Sequence, residues 1–124
     1  AVVDCEMRLW VDGLGQPADR VPEVRERVRE MALDAAPLHA DEPLEQAIPL
    51  DPPAAGRLGE LRIPVVILVG DLDTPRLRTI AGLLGAGITG SRLETWAGVA
   101  HLPSMERPAA FVELVEPFLD AAGA

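Results

Sequence analysis

The chain of 124 residues lacks side chains on which several classes of protein depend. It has one cysteine, Cys5, so no disulfide can form within the chain and no cluster of thiolates can hold a metal ion. Lysine, tyrosine and asparagine are absent, and all eleven cationic side chains are arginines. We interpret this composition as the coding bias of a GC-rich bacterial genome, without functional meaning.

Long apolar runs and the features of a secretory signal are also missing. The longest apolar run, residues 63–70, is too short to cross a bilayer as a helix. The first ten residues, AVVDCEMRLW, carry acidic side chains within an apolar stretch, whereas a signal peptide needs a basic start and an uninterrupted apolar core. We therefore expect a cytoplasmic protein without a membrane partner. The first residue is not methionine, which leaves open a start further upstream.

Positive charge is scarce in this chain. Twenty acidic side chains against eleven basic ones give a formal net charge of −9. Nucleic acids and anionic membranes attract clustered cations, so this balance argues against both as partners. The two histidines are far apart and the carboxylates are scattered, so no metal-ligand spacing is present and we predict no metal site.

What is present divides into a helical part, residues 1–58, and an α/β part, residues 59–124. The first part contains two predicted helices, each with apolar residues at helical spacing. Asp19 is placed to cap the second helix, and Pro37 predicts the end of its apolar pattern. Cys5, on the first helix, is expected in or near the core. A proline-rich stretch without a strand pattern follows. The apolar positions at helical spacing are Val3, Met7 and Trp10, then Val21, Val24, Val28, Met31 and Ala35.

The second part alternates strands and helices. Residues 63–69 predict a strand buried on both faces, and residues 91–96 predict a second, with an amphipathic helix between them. A last helix begins near Pro108, and Pro117 should kink or shorten it. This order favours an α/β fold with a parallel sheet. Two strands are too few for such a domain, so we expect a fragment, or one half of a two-chain assembly, at the edge of a larger sheet.

Two polar residues follow the predicted strands. Asp73 comes after the first strand, in VGDLDTP, and His101 comes after the second, in WAGVAHLPSMERP. Ligand sites in open α/β sheets lie at the carboxyl ends of the strands, so parallel neighbours would present both side chains at one edge. There a carboxylate can accept the imidazole N–H and fix its tautomer, while the other ring nitrogen takes a proton from a nucleophile.

These two segments, residues 63–75 and 98–119, together resemble the end of α/β-hydrolase fold proteins, especially cofactor-free esterases, enol-lactonases and haloperoxidase-like enzymes. In that family the catalytic acid ends a G-x-x-D turn, and the histidine lies in a G-x-x-H-x-x-x-x-E-x-P segment. The match of residues 70–73 implies that Asp73, rather than Asp71, is the acid. The match of residues 98–108 implies that His101 is the base.

The likeness extends upstream, because MRLWVDGLGQP (residues 7–17) and the charged helix after it resemble the helical cap that such proteins insert before the strand bearing the acid. The resemblance implies the C-terminal part of an α/β-hydrolase parallel sheet, preceded by a cap segment. It also implies hydrolysis of a small-molecule ester or lactone by a Ser–His–Asp triad, without a cofactor.

The nucleophile of that family is missing. It normally sits in a G-x-S-x-G elbow, but Ser91 and Ser104 are the only serines and neither has the flanking glycines. The resemblance therefore implies that this chain alone is inactive. The N-terminal part of the core, upstream residues or a second chain, would supply the nucleophile and the oxyanion hole.

Two alternatives remain open at this point. The chain could be a non-catalytic fragment or binding module of the same fold, which keeps the pocket without the nucleophile. It could also be a degraded chain that is stable as a dimer, with exposed sheet edges paired between copies.

Several other residues have expected roles that the structure can address. Asp71 is expected to be a turn carboxylate, and Glu106 to begin the last helix, where its charge suits the helix dipole. Met7, Trp10 and Met31 are expected to be packing residues, or to line the roof of a pocket if the cap hypothesis holds.

Overall fold

The N-terminal part is helical in the computed structural model, which describes residues 2–39 and 48–123. Helix α1 (Val2–Glu6) continues directly into a π-helical segment (Met7–Asp12), and helix α2 spans Pro22–His39. A turn follows the π-helical segment, closed by a hydrogen bond of 3.1 Å from the Gln16 N–H to the Gly13 carbonyl oxygen. Gly13 has φ 88° there, a conformation that favours glycine, and a side chain at this position would also crowd Leu72. The turn therefore packs against the loop that follows the first strand.

Two predictions about the helices are wrong. Asp19 lies in the turn before α2 and does not cap it, because the helix begins only at Pro22. Pro37 does not end α2, which runs to His39. Pro117 lies inside the last helix, α5 (Pro108–Ala122), as the sequence predicts, and α5 continues past it to Ala122. A proline removes one backbone donor and bends a helix locally. Pro37 lies near the carboxyl end of α2, so little of that helix follows it.

The chain also packs differently around Cys5 than we expected. Cys5 is exposed, and helix α1 has no buried side chain. The buried residues of this region lie on the π-helical segment instead, where Met7, Val11 and Asp12 are nearly inaccessible to solvent. Part of the proline-rich stretch, residues 40–47 with Pro43, lies outside the described residues.

A parallel pair of strands forms the sheet, as the sequence predicts. Strand β1 (Val66–Gly70) pairs with β2 (Arg92–Trp96) in a register that places Val66 opposite Arg92 and Gly70 opposite Trp96. Helix α3 (Pro75–Gly87) connects the two strands, and a 3₁₀ helix (Ala54–Glu60) precedes β1. The short helix α4 (Pro103–Glu106) and helix α5 follow β2. The fold is therefore mixed α/β.

The sheet is small and does not show the full extent of an α/β-hydrolase sheet. Within the described residues, β1 and β2 pair only with each other, and 59% of these residues are helical. Strand β1 begins three residues later than predicted, because Ile63 and Pro64 lie in the preceding loop. Its burial on both faces is also not observed: residues 66–68 are half-buried, and only Val69 and Gly70 are buried.

The best-packed region lies at the carboxyl end of the sheet. The buried apolar side chains there come from β1, α3, the loop after β2 and the π-helical segment. They include Val69, Ala81, Val99, Ala100, Met7 and Val11. By contrast, α5 has no buried residue, and Leu119 on it is 58% exposed. No helix within residues 2–39 and 48–123 is long and apolar enough to cross a membrane.

Candidate acid–base site

Asp73 is buried in the turn that joins β1 to α3, with 5% of its surface exposed. The turn closes through a hydrogen bond from the Asp73 N–H to the Gly70 carbonyl oxygen at 3.2 Å. The Thr74 N–H donates to Asp73 Oδ1 at 2.7 Å, and the Thr74 side chain caps helix α3. The start of α3 therefore fixes one carboxylate oxygen of Asp73 and leaves Oδ2 to face the neighbouring loop.

His101 meets that second oxygen. Its Nδ1 atom lies 2.8 Å from Asp73 Oδ2, although the two residues are 28 positions apart in the chain. A carboxylate can only accept a hydrogen bond, so Nδ1 carries the proton and Nε2 is the basic atom of the neutral ring. The His101 side chain is 40% exposed, whereas that of Asp73 is 5% exposed. The arrangement joins a sheltered carboxylate to an imidazole that solvent or a substrate can reach.

The loop at residues 97–102, which we call the His loop, is held against the turn after β1. The Leu72 N–H donates to the Val99 carbonyl oxygen at 3.0 Å. The Gly98 N–H donates to Asp71 Oδ1 at 2.7 Å, and Gly98 has φ 70°. Asp71 thus binds the loop backbone, as a turn carboxylate does, while Asp73 binds the imidazole.

Gly70 permits this close approach of the two loops. A side-chain carbon at this position would overlap the carbonyl oxygens of Val99 and Ala100. The first glycine of the G-x-x-D turn therefore allows the His loop to lie directly over the end of β1.

Glu106 has a different role from the one its position suggested. It ends α4 instead of beginning the last helix, and its side chain is only 2% exposed. Glu106 Oε1 accepts the Ala100 N–H at 2.9 Å, and Oε2 lies 2.6 Å from Arg20 Nη1. The carboxylate therefore holds the residue next to His101 and pairs with an arginine from the N-terminal part.

Trp10 covers His101 from the N-terminal side. The His101 N–H donates to the Trp10 carbonyl oxygen at 3.2 Å, and the two rings have centroids 4.7 Å apart with planes inclined at 46°. Met7 and Trp10 line a cavity of about 290 Å³ beside His101, whereas Met31 is half-exposed and does not line it. The remaining lining residues are Glu6, Val28, Ala32 and Leu102.

A second cavity lies on the other side of the site, between β1 and α3. It has a volume of about 220 Å³, and both Asp73 and His101 line it. Apolar side chains form most of its wall, including Ile67, Leu77 and Leu84. His101 therefore borders two cavities, one beneath the N-terminal helices and one between β1 and α3.

No nucleophile contacts the imidazole within the part of the chain that the structure describes, where the side chain of His101 hydrogen-bonds only Asp73. Ser91 lies just before β2, at the opposite end of the sheet, and donates to the Gly85 carbonyl oxygen at 3.2 Å. Ser104 is exposed on α4. In residues 2–39 and 48–123 no group of three or more His, Cys, Asp or Glu side chains is arranged to hold a metal ion.

Comparison with known proteins gives no matching family model, no matching curated protein and no matching solved structure.

The sequence identified Asp73 and His101, but not the residues that surround them. Arg20 and Trp10 reach the His loop from the N-terminal part, and Arg20 is 86 positions from Glu106. No local pattern predicts a contact over that distance. In the sequence, only the glutamate of the G-x-x-H-x-x-x-x-E-x-P segment points to such a contact, and the sequence does not indicate its partner.

Proposed function

We propose that residues 59–124 are the C-terminal part of an α/β-hydrolase core and that residues 1–58 are its helical cap segment. In this proposal Asp73 is the acid and His101 is the base of a Ser–His–Asp triad. The observation that carries it is the hydrogen bond of 2.8 Å between Asp73 Oδ2 and His101 Nδ1, at the carboxyl ends of two neighbouring parallel strands. A segment outside this chain provides the serine.

The proposed reaction is hydrolysis of an ester or lactone in two steps. The serine hydroxyl attacks the acyl carbon while His101 Nε2 takes its proton, and Asp73 stabilises the imidazolium that forms. His101 then gives that proton to the departing alkoxide oxygen, which leaves an acyl-serine. Water attacks the acyl-serine with the same base, and the acid and the free serine are released. No cofactor takes part.

The amino-acid composition of the two strands supports a location for the missing segment beside β1 rather than beside β2. Strand β2 (RLETW) carries an Arg92–Glu94 ion pair with an N–O distance of 2.6 Å, and charged side chains of this kind protect the edge of a sheet. Strand β1 (VILVG) is apolar, as interior strands are. The completing strands therefore lie beside β1 in this proposal. The 220 Å³ cavity is lined by residues of β1 together with Asp73 and His101, and in this proposal it would receive the nucleophile.

Replacing His101 in the complete protein tests this proposal. We expect His101→Ala to abolish hydrolysis of a chromogenic ester, because no other base would take the serine proton. His39, the other histidine of the chain, provides the matched control, and His39→Ala should retain activity. Ester hydrolysis by His101→Ala at the rate of the unchanged protein would refute the role of His101.

A binding module of the same fold is the second candidate. It is favoured by one observation: the described residues place no hydroxyl or thiol against His101. In that case the 290 Å³ cavity between Trp10 and α2 would hold a small apolar ligand without turnover. A complete protein that binds esters with full occupancy but leaves them intact would support this candidate over the hydrolase.

A further inference from the structure

The His loop is tied to three separate parts of the molecule through its backbone N–H groups. Gly98 donates to Asp71 in the turn after β1, at 2.7 Å. His101 donates to the Trp10 carbonyl oxygen at 3.2 Å, and Ala100 donates to Glu106 at 2.9 Å. Two of these acceptors precede the loop in the chain, and Glu106 follows it. The position of the imidazole therefore depends on contacts well outside its own strand.

Glu106 provides one of these acceptors from a charged side chain that is almost completely buried, at 2% exposure. The Ala100 residue that it binds is fully buried. If Glu106 lost its carboxylate, the Ala100 N–H would be left without a partner in a site that water does not reach. A buried N–H without an acceptor is destabilising, so we expect the backbone to shift toward another acceptor. Because Ala100 directly precedes His101, that movement would displace the imidazole from Asp73.

Arg20 completes this arrangement from the N-terminal part. Its Nη1 atom donates to Glu106 Oε2 at 2.6 Å and to the Gly98 carbonyl oxygen at 2.9 Å. Its Nη2 and Nε atoms donate to the carbonyl oxygens of Val11 and Asp12, at 2.6 and 2.8 Å. One guanidinium thus joins the end of the π-helical segment to the His loop. Lysine could not replace it, because one ammonium nitrogen cannot reach four acceptors in this fork geometry.

We propose that Arg20 and Glu106 are positioning residues that hold the His101 imidazole in place against Asp73 by fixing the backbone of the His loop. Their hydrogen bonds go to Gly98 and Ala100, so they act through the loop and not on the reacting atoms. This inference rests on the proposed function, because positioning matters for catalysis only if His101 is the base. It also gives the glutamate of the G-x-x-H-x-x-x-x-E-x-P segment a physical role.

The tautomer of His101 provides a direct readout. Long-range ¹H–¹⁵N spectra of the full chain distinguish a ring with its proton on Nδ1 from one with its proton on Nε2. The chain has only two histidines, so the His39→Ala variant assigns the His101 signals. In the unsubstituted chain we expect Nδ1–H as the major form of the neutral ring. In Glu106→Ala we expect loss of that preference, with Nε2–H becoming the major form.

Glu106→Gln separates the two bonds of the carboxylate. Its amide oxygen can still accept the Ala100 N–H, but its amide nitrogen faces Arg20 as a donor facing a donor. We therefore expect a smaller shift of the tautomer than in Glu106→Ala. Glu60→Gln is the matched control, because Glu60 also pairs with an arginine, Arg57 at 2.8 Å, but on an exposed surface. This control should leave the tautomer of His101 unchanged.

Each outcome decides the proposal. Glu106 variants that fold and keep Nδ1–H as in the unsubstituted chain would overturn it. Loss of the fold in both variants would assign the pair to stability alone and would also overturn it. In the complete protein, a positioning role predicts that Glu106→Gln lowers kcat by about 10²-fold with KM little changed.

Failure of this inference can be distinguished from failure of the proposed function. If the unsubstituted chain folds with the proton of its neutral His101 ring on Nε2, the Asp73–His101 geometry itself is wrong and both proposals fall. If the unsubstituted chain has Nδ1–H and Glu106→Ala keeps it, only the positioning role of Glu106 and Arg20 fails.

Discussion

Substitution of Gly70 by alanine tests the close packing on which the acid–base pair depends. The added Cβ would overlap the carbonyl oxygens of Val99 and Ala100, both of which belong to buried residues. Unlike the end of a flexible side chain, these backbone atoms cannot rotate away, so β1 and the His loop must separate. Overpacking in a core costs about 1–3 kcal/mol, and this case belongs at the upper end, at about 3 kcal/mol.

The expected loss is large enough to measure by thermal unfolding of the full chain, followed by circular dichroism. A loss of about 3 kcal/mol lowers Tm by about 10 °C for a chain of this length. It is also a large share of the stability of a small domain, which is about 5–15 kcal/mol. The separation would displace the loop that carries His101, so the Nδ1–H tautomer should be lost together with stability.

Gly82 offers the matched control for this experiment. It lies inside helix α3, and nothing lies within 4 Å of an added Cβ. Alanine is favoured over glycine in a helix interior by about 0.5–1 kcal/mol, so Gly82→Ala should raise Tm slightly. A Gly70→Ala variant that unfolds at or above the Tm of the unsubstituted chain would refute the close approach of β1 and the His loop.

Two further predictions concern charge. In the complete protein, the proposed triad predicts that Asp73→Asn lowers kcat by about 10⁴-fold, because the amide N–H favours the wrong imidazole tautomer; steady-state kinetics check this, and a kcat near that of the unsubstituted protein would contradict it. Arg25→Ala should cost about 3 kcal/mol in urea unfolding, because it leaves Asp12 buried without its partner at 2.9 Å. Arg27→Ala on the same helix should cost about 0–0.5 kcal/mol, since its pair with Glu30 is exposed, and equal losses for the two variants would contradict the argument.

The sequence predicted the parts of the fold that local patterns control. The β-branched run before Gly70 predicted β1, and its end predicted where Asp73 would lie. Because parallel strands place their carboxyl ends at one edge, the same reasoning brought His101 beside Asp73. The turn pattern favoured Asp73 over Asp71 as the partner of His101. In the structure Asp71 instead accepts a backbone N–H from Gly98.

Other features depend on contacts that no local pattern contains. The burial of β1 on both faces was predicted from its apolar run, but that burial requires neighbouring strands which the described residues do not provide. Glu106 looked like a helix-start residue because its charge suits a helix dipole. Its actual partners, Ala100 and Arg20, become apparent only when the chain is folded. Pro37 is the opposite case. Proline strongly disfavours the interior of a helix, yet α2 continues past Pro37 for its last residues, to His39.

Chemical labelling of the nucleophile tests the central claim most directly. The complete protein, with every segment that completes the sheet, would be treated with a serine-directed phosphonate and digested, and the modified residue would be identified by mass spectrometry. The account predicts a phosphonylated serine outside this 124-residue sequence, and it predicts that His101→Ala prevents the modification. Modification of Ser91 or Ser104, or a serine that is labelled equally well without His101, would contradict the account.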